Sequence, residues 1–524
     1  MAHEPATRPP LPSFAVRPVA AVAAATVAVL LLTAGRYGYH RDELYFRMLG
    51  DHPAWGYTDQ PPLTPLLARA SIAVLGDSVT ALHVLPALLT GLTCVLAALL
   101  ARELGGGRLA QTLAATAGTG AITLVSGHVL LTATADLPLW LLVELFALRA
   151  LLRAQPQWWL WAGMVTGFAL SNKLLVVLLL LGLGAGLLLV GPRAVLRERR
   201  LWLGVALAVL VGLPNLVYQV VEGFPQADMA AALAENKGDE ARVLLVPMQL
   251  VAMGPPLAPV WIAGLVGLLR RPAWRPARAF GVGYLLICAF LLVQGGQFYY
   301  TIGLLHLLTA AGWVRVERWV RRDTSDAAGG TEGSDAAGRA HERRWRRGPA
   351  SLVGAALALS VGAGLVIALP VIPADRLGDT PIPEINQAAR DSIGWPAYVD
   401  QIAAAHRSLP PADRAASVVL TGNYGEAGAV DRYGPSRGLP AAYSGQNALY
   451  ALGPPPESAT AAVLVMQDAD ARAFYARMFR TCTPAATLDN GVGVDNEEQG
   501  TPVLACTGRL MPWARAWPGF RHLD

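Results

Sequence analysis

The feature that most constrains this chain is the recurrence of apolar stretches about 20 residues long, the length a helix needs to cross the hydrocarbon of a bilayer. Such windows centre near Ala25, Leu89, Gly118, Leu142, Val165, Leu181, Leu210, Val260, Leu286, Leu305 and Ala358, which predicts about eleven spans. Only 15% of the 524 residues are charged, against about 25% in an ordinary soluble domain. The expected fold class is therefore mainly α, a polytopic transmembrane bundle, and a string of soluble domains is excluded. Arg8 and Arg17 precede the first apolar run, as in a secretion signal. That run is long and has no small-x-small exit, so it is expected to remain as the first span.

The net charge of +5 does not point to nucleic acid, because the basic residues sit in short clusters between the apolar runs. They alternate along the chain: Arg102 and Arg108, then Arg149 and Arg153, then Arg193 to Arg200, then Arg270 to Arg278, then Arg315 to Arg347. Cytoplasmic loops hold such clusters against anionic lipid, which places the N-terminus inside. Residues 1–320 read as the membrane core, 321–349 as a polar cytoplasmic linker, and 350–371 as the last span. The loop 36–77 and the tail 372–524 then lie outside. Of 42 cationic residues only Lys173 and Lys237 are lysine, and Ala, Gly and Pro are abundant. This usage suggests a GC-rich bacterial genome and so a bacterial plasma membrane.

The tail has ordinary soluble composition. Ala416 to Thr421 and Ala462 to Met466 read as buried strands, followed by helical patterns over Glu426 to Tyr433 and Asp468 to Phe479. A small extracytoplasmic α/β domain is expected. Cys482 and Cys506 fall in it, where thiols oxidise and persist as a disulfide; the alternative is two free thiols. Cys94 and Cys288 lie in apolar runs and read as packing residues.

No P-loop, zinc-spaced Cys/His set or nucleophile elbow is present, so nucleotide hydrolysis and acyl transfer lack support. The informative stretch is Tyr39-His40-Arg41-Asp42-Glu43-Leu44-Tyr45-Phe46, directly after the first span. Its acids have a plain reading as a helix N-terminus favoured by the dipole. Leu44, Tyr45, Phe46, Met48 and Leu49 are expected to lay that helix along the membrane surface. The loop continues as Trp55-Gly-Tyr-Thr-Asp59-Gln60-Pro-Pro62. Asp136 interrupts an apolar run at the outer end of the fourth span, and Lys173 sits at an outer turn, where a lone lysine often only snorkels. Carboxylates and a compact cation at one membrane surface also suit a lipid-phosphate substrate, with a base for the acceptor and a cation for the phosphate.

These residues carry a resemblance. Tyr39 to Pro62, Asp136-Leu-Pro, Ser171-Asn-Lys173, Tyr218-Gln219 with Gly223-Phe-Pro225, and Gln297-Phe-Tyr299-Tyr300 are similar to motifs of bacterial family-39-type glycosyltransferases. These belong to the membrane-embedded C-type (GT-C) superfamily, with the protein O-mannosyltransferases and the lipid A aminoarabinose transferases. The likeness spans roughly residues 20–320. It implies inverting transfer of a sugar from a polyprenyl-phosphate donor, on the outer face, to an acceptor hydroxyl on lipid, glycan or protein. It implies Asp42 as general base, with Glu43 beside it and Asp136 as a second acid. His40, Arg41, Asp59, Gln60, Lys173, Gln297, Tyr299 and Tyr300 are the implied substrate-binding residues. Relatives often carry a lysine where this chain has Gln297, which leaves the phosphate to Lys173, Arg36 or Arg41. No cofactor is required by such chemistry, and a divalent metal ion is compatible with it. The rival class is a transporter or lipid flippase. Such proteins place charges near the midplane and often show internal repeats, whereas this chain concentrates its acids in an outer loop.

Overall fold

The computed structural model describes residues 11–328 and 348–524; residues 329–347, most of the expected linker, lie outside them. The first part folds as α1 (Val16–Thr33), α2 (Arg41–Asp51), α3 (Leu63–Leu75), α4 (Val79–Glu103), α5 (Arg108–Ala117), α6 (Ala121–His128), α7 (Thr132–Arg153), α8 (Trp158–Leu170), α9 (Val176–Leu189), α10 (Arg199–Val221), α11 (Pro225–Ala252), α12 (Ala258–Arg270), α13 (Arg278–Gln294) and α14 (Ile302–Ala328). After residue 347 comes one more apolar helix, α15 (Gly348–Ala368).

Among the described residues, five helices are long and apolar enough to cross a membrane: Val16–Thr33, Val79–Glu103, Arg199–Val221, Pro272–Gln294 and Ala350–Ala368. The pair Pro225–Ala252 and Pro255–Arg270, bent by 82°, makes a sixth candidate. Several expected windows are not single long helices. The one near Gly118 is split into α5 and α6 at Gly118-Thr119-Gly120, three consecutive residues of poor helix propensity. Helices α8 and α9 have 13 and 14 residues, about 20 Å at 1.5 Å per residue, short of a hydrocarbon core. Helix α11 was not expected, because Glu235, Lys237, Asp239, Glu240 and Arg242 interrupt its apolar pattern. Outward-facing Leu32, Leu210, Val220, Val221, Leu352 and Leu359 are positioned for lipid.

The helices pack closely because glycines let backbones touch. A Cβ on Gly163 collides with the Gly204 carbonyl between α8 and α10, and one on Gly264 collides with the Leu308 carbonyl between α12 and α14. Basic turns gather at one end of the bundle. Arg149 and Arg153 pair with Glu103, the Gly107 amide donates to Glu317 at 2.6 Å, and the Trp274 indole donates to the Leu104 carbonyl at 3.0 Å. The loop 36–62, the start of α7, the α8–α9 turn and the C-terminal domain gather at the other.

The C-terminal domain contains α16 (Trp395–Ser408), β1 (Ser417–Thr421), α17 (Tyr424–Tyr433), β2 (Ala442–Ser444), β3 (Ala461–Val465), α18 (Ala469–Ala476), β4 (Phe479–Thr487) and β5 (Pro502–Arg509). The sheet order is β2-β1-β3-β5-β4, with β1 parallel to β2 and β3, and β5 antiparallel to β3 and β4. Strands β1 and β3 are buried throughout, as strands covered on both faces must be. Cys482 and Cys506 face one another across β4 and β5 and form a disulfide.

The apolar face of α2 departs from its expected place. Leu44, Tyr45, Phe46 and Leu49 of α2 do not lie along a membrane surface. They are buried in a single apolar cluster with Trp395, Val399, Val419, Ala427 and Val430 of the C-terminal domain. The first loop and the tail, some 380 residues apart in sequence, share one core.

Candidate active site

The acidic pair is oriented by the start of α2. His40 is the N-cap: its Nδ1 accepts from the Asp42 amide at 3.2 Å, and Glu43 Oε2 accepts from the His40 amide at 2.8 Å. This reciprocal cap turns Glu43 inward. Glu43 is fully buried, its Oε1 accepting from the Leu130 amide at 2.7 Å and lying 3.1 Å from His83 Nε2 of α4. It ties α2, α4 and the entry to α7 together. Asp42 points the other way, with 30% of its side chain exposed and Oδ1 accepting from the Tyr424 hydroxyl at 2.9 Å.

The opposite wall is the α8–α9 turn. Asn172 is buried; its Oδ1 accepts from Thr64 Oγ1 at 2.9 Å and its Nδ2 donates to the Thr132 carbonyl at 2.9 Å. The Leu63 amide donates to the Ser171 carbonyl at 2.9 Å. Stapled from two sides, the turn holds Lys173 with its Nζ 5.4 Å from the Tyr299 ring centroid and 5.8 Å from that of Tyr300. Burial pushes the Lys173 ammonium down, and the charges of Asp136 and Asp42 pull it back up. Asp136, one turn into α7, is 8% exposed and its Oδ1 has no hydrogen-bond partner. Asp42, Asp136, Lys173, Tyr299 and Tyr300 are therefore brought together, although they come from four separate stretches of chain.

Other expected residues take different places. Asp59 accepts from the Tyr45 hydroxyl at 2.9 Å, and burial pushes its carboxyl up to about 7 against that bond, with the Asp42 charge adding to the rise. Gln60 is buried; its backbone carbonyl accepts from the Tyr57 amide at 2.8 Å and its side-chain Nε2 has no partner. Arg41 is committed to the C-terminal domain: it forms an ion pair with Glu497 and lies 4.9 Å over the Tyr424 ring. Arg36 donates to the Pro370 carbonyl at 3.4 Å. Gln297 begins the short turn Phe298–Thr301 that presents both tyrosines. Among the described residues, no group of three or more His, Cys, Asp or Glu is placed to hold a metal ion.

Sequence reasoning missed Tyr424, Tyr45 and Glu497. Tyr424 is the first residue of α17, at the carboxyl end of parallel strand β1, where α/β sheets present functional groups. The strand–helix turn was legible, but its partner was not.

A family model described as dolichyl-phosphate-mannose-protein mannosyltransferase matches residues 59–218, which include Asp59, Asp136 and Lys173 but not the acidic pair. No curated protein matches the chain by sequence. The structure of ArnT from Cupriavidus metallidurans bound to undecaprenyl phosphate superposes with a TM-score of 0.58 at 16% identity, covering 93% of this chain and 97% of that one. The chain has the GT-C glycosyltransferase fold. The apo form of the same ArnT gives the same TM-score. The arabinofuranosyltransferase AftD from Mycobacteria gives 0.51 at 15% identity, covering 94% of this chain and 40% of that larger one. The ArnT match covers nearly all of both chains, so the GT-C likeness includes the C-terminal domain as well as the bundle.

Proposed function

We propose that this protein is an inverting membrane glycosyltransferase that moves a sugar from a polyprenyl-phosphate donor to an acceptor hydroxyl on the extracytoplasmic face. The observation that carries the reading is the grouping of one partly exposed carboxylate, Asp42, with a second acid and the lysine Lys173 beside two tyrosine rings. A hydroxyl is a poor nucleophile near neutral pH. Asp42 takes its proton as the oxygen attacks the anomeric carbon from the face opposite the phosphate. The bond from that carbon to the phosphate oxygen breaks, and the polyprenyl phosphate leaves with the bonding pair. Its charge is met by the Lys173 ammonium, a compact point charge suited to phosphate. A positioned base contributes about 10²–10⁴-fold. Asp136, with an oxygen free of protein partners, positions the acceptor or the sugar. His40 and Glu43 act through Asp42 by fixing the start of α2. A lipid carrier agrees with the undecaprenyl phosphate bound by ArnT. The outer-face assignment rests on the arginine-rich turns lying at the other end of the bundle.

The test is turnover by the full chain in lipid nanodiscs with undecaprenyl-phosphate-linked mannose, glucose and arabinose, supplied with envelope extract as acceptor. Release of undecaprenyl phosphate from at least one donor is expected. Movement of these lipids between leaflets with no release from any donor contradicts the reading.

A further inference from the structure

We propose that the C-terminal domain is a working wall of this site, with Tyr424 as the positioning residue that holds Asp42 through its hydroxyl. The proposal rests on the assignment of Asp42 above and adds a residue from outside the membrane core. Tyr424 is fixed on every side. Its amide donates to Gln446 Oε1 at 2.7 Å, and its ring stacks on Tyr45 with centroids 4.6 Å apart and lies under the Arg41 guanidinium. Asn423 caps the helix through the Glu426 amide at 2.8 Å, and Asn423 Nδ2 donates to Glu498 at 3.2 Å. Arg41 and Asp42, adjacent on α2, are thus each held by the C-terminal domain, one through Glu497 and the ring, the other through the hydroxyl.

The approach of the two elements is built in at the backbone. A Cβ on Gly425 meets Arg41 Cβ at 3.0 Å, and one on Gly428 meets the Leu44 backbone at 2.7 Å. The charged and titratable groups that act on or lie beside Asp42 are His40, Arg41, Asp59, Lys173, Tyr299 and Tyr424. Of these, Tyr424 is the one whose side chain donates a hydrogen bond to the carboxylate, leaving the second oxygen to receive the acceptor proton. A base held in one rotamer serves the transition state more than the bound ground state. In this reading the donor phosphate belongs to Lys173, and the Tyr424 hydroxyl is committed to Asp42.

The experiment uses Tyr424→Phe, which removes the hydroxyl and keeps the ring stack, in the full chain in nanodiscs. Carbodiimide with glycine ethyl ester at a fixed pH, read by peptide mass spectrometry, reports the freedom of the Asp42 carboxylate whether or not a donor has been found. Asp42 is expected to label several-fold faster in the variant, with buried Glu43 unchanged and the thermal midpoint within a few degrees of wild type. With the donor that turns over best, kcat is expected to fall about tenfold while the donor KM stays within about twofold. In an Asp42→Asn background, Tyr424→Phe is expected to add nothing. Unchanged labelling of Asp42 in folded Tyr424→Phe overturns the proposal. Faster labelling together with full activity of Asp42→Asn leaves the contact standing and overturns the assignment of Asp42 as base.

Discussion

Replacing Glu43 by alanine separates the two members of the acidic pair. Three groups lose their acceptor at once: the His40 amide, the Leu130 amide and His83 Nε2, all within 3.2 Å of the carboxylate. Glu43 is fully buried, so water does not readily replace it. An orphaned buried donor costs about 1–3 kcal/mol. Neighbours in one network are not additive, and partial relaxation lowers the sum, which gives a loss of about 3–5 kcal/mol. Glu43→Gln keeps one carbonyl oxygen but turns an NH2 group toward the remaining donors, so it falls between alanine and wild type. Thermal unfolding in nanodiscs followed by intrinsic fluorescence ranks the three by their midpoints at one fixed scan rate. The expected order is wild type above Gln above Ala, whereas Asp42→Asn unfolds with wild type. A Glu43→Ala protein that melts with wild type yet has lost turnover refutes the strut assignment and makes Glu43 part of the chemistry.

Three further outcomes follow from the same geometry. Lys173→Ala is expected to raise the donor KM more than it lowers kcat, and Lys173→Arg to recover part of the loss; unchanged donor KM moves the phosphate to another cation. The Asp59 carboxyl is raised to about 7, so the folded state favours its protonated form, and its contribution is present at about pH 4 and lost as pH rises through about 7. Chemical unfolding of wild type and Asp59→Asn from pH 4 to 8 is therefore expected to show wild type losing ground to the variant across that window, and a constant difference contradicts it. Gly428→Ala places a methyl 2.7 Å from the Leu44 backbone, an overpacking cost of about 1–3 kcal/mol; proteolysis between α15 and α16 is expected to accelerate, and an unchanged cleavage rate rejects close packing of α17 on α2.

The apolar runs made the helical bundle legible, because bilayer thickness sets a length that composition reveals directly. They overstated its regularity. Gly118 and Gly120 break a window that averaging treats as continuous, and the charges within α11 hide a 28-residue helix. The strands β1 and β3 were legible because every residue in them is buried and apolar or small. Asp42, Asp136 and Lys173 stood out as polar residues at the ends of apolar runs, and the structure brings them together through the Asn172 staple. What the sequence could not show was the division of labour within the acidic pair. The helical cap sends Glu43 inward and Asp42 outward, and that depends on His83 and Leu130, remote in sequence. Nor could it show that Leu44, Tyr45 and Phe46 face the C-terminal domain, since an apolar helix face reads the same whether lipid or protein covers it.

The central claim is that Asp42 is the base, and Asp42→Asn tests it most directly. The change is nearly isosteric, keeps an oxygen to accept from Tyr424, and removes the proton acceptor. Turnover of the undecaprenyl-phosphate-linked donor by the purified variant is the measurement, with the thermal midpoint as control. The account expects turnover to fall about 10²-fold or more at an unchanged midpoint; turnover within a few-fold of wild type contradicts it.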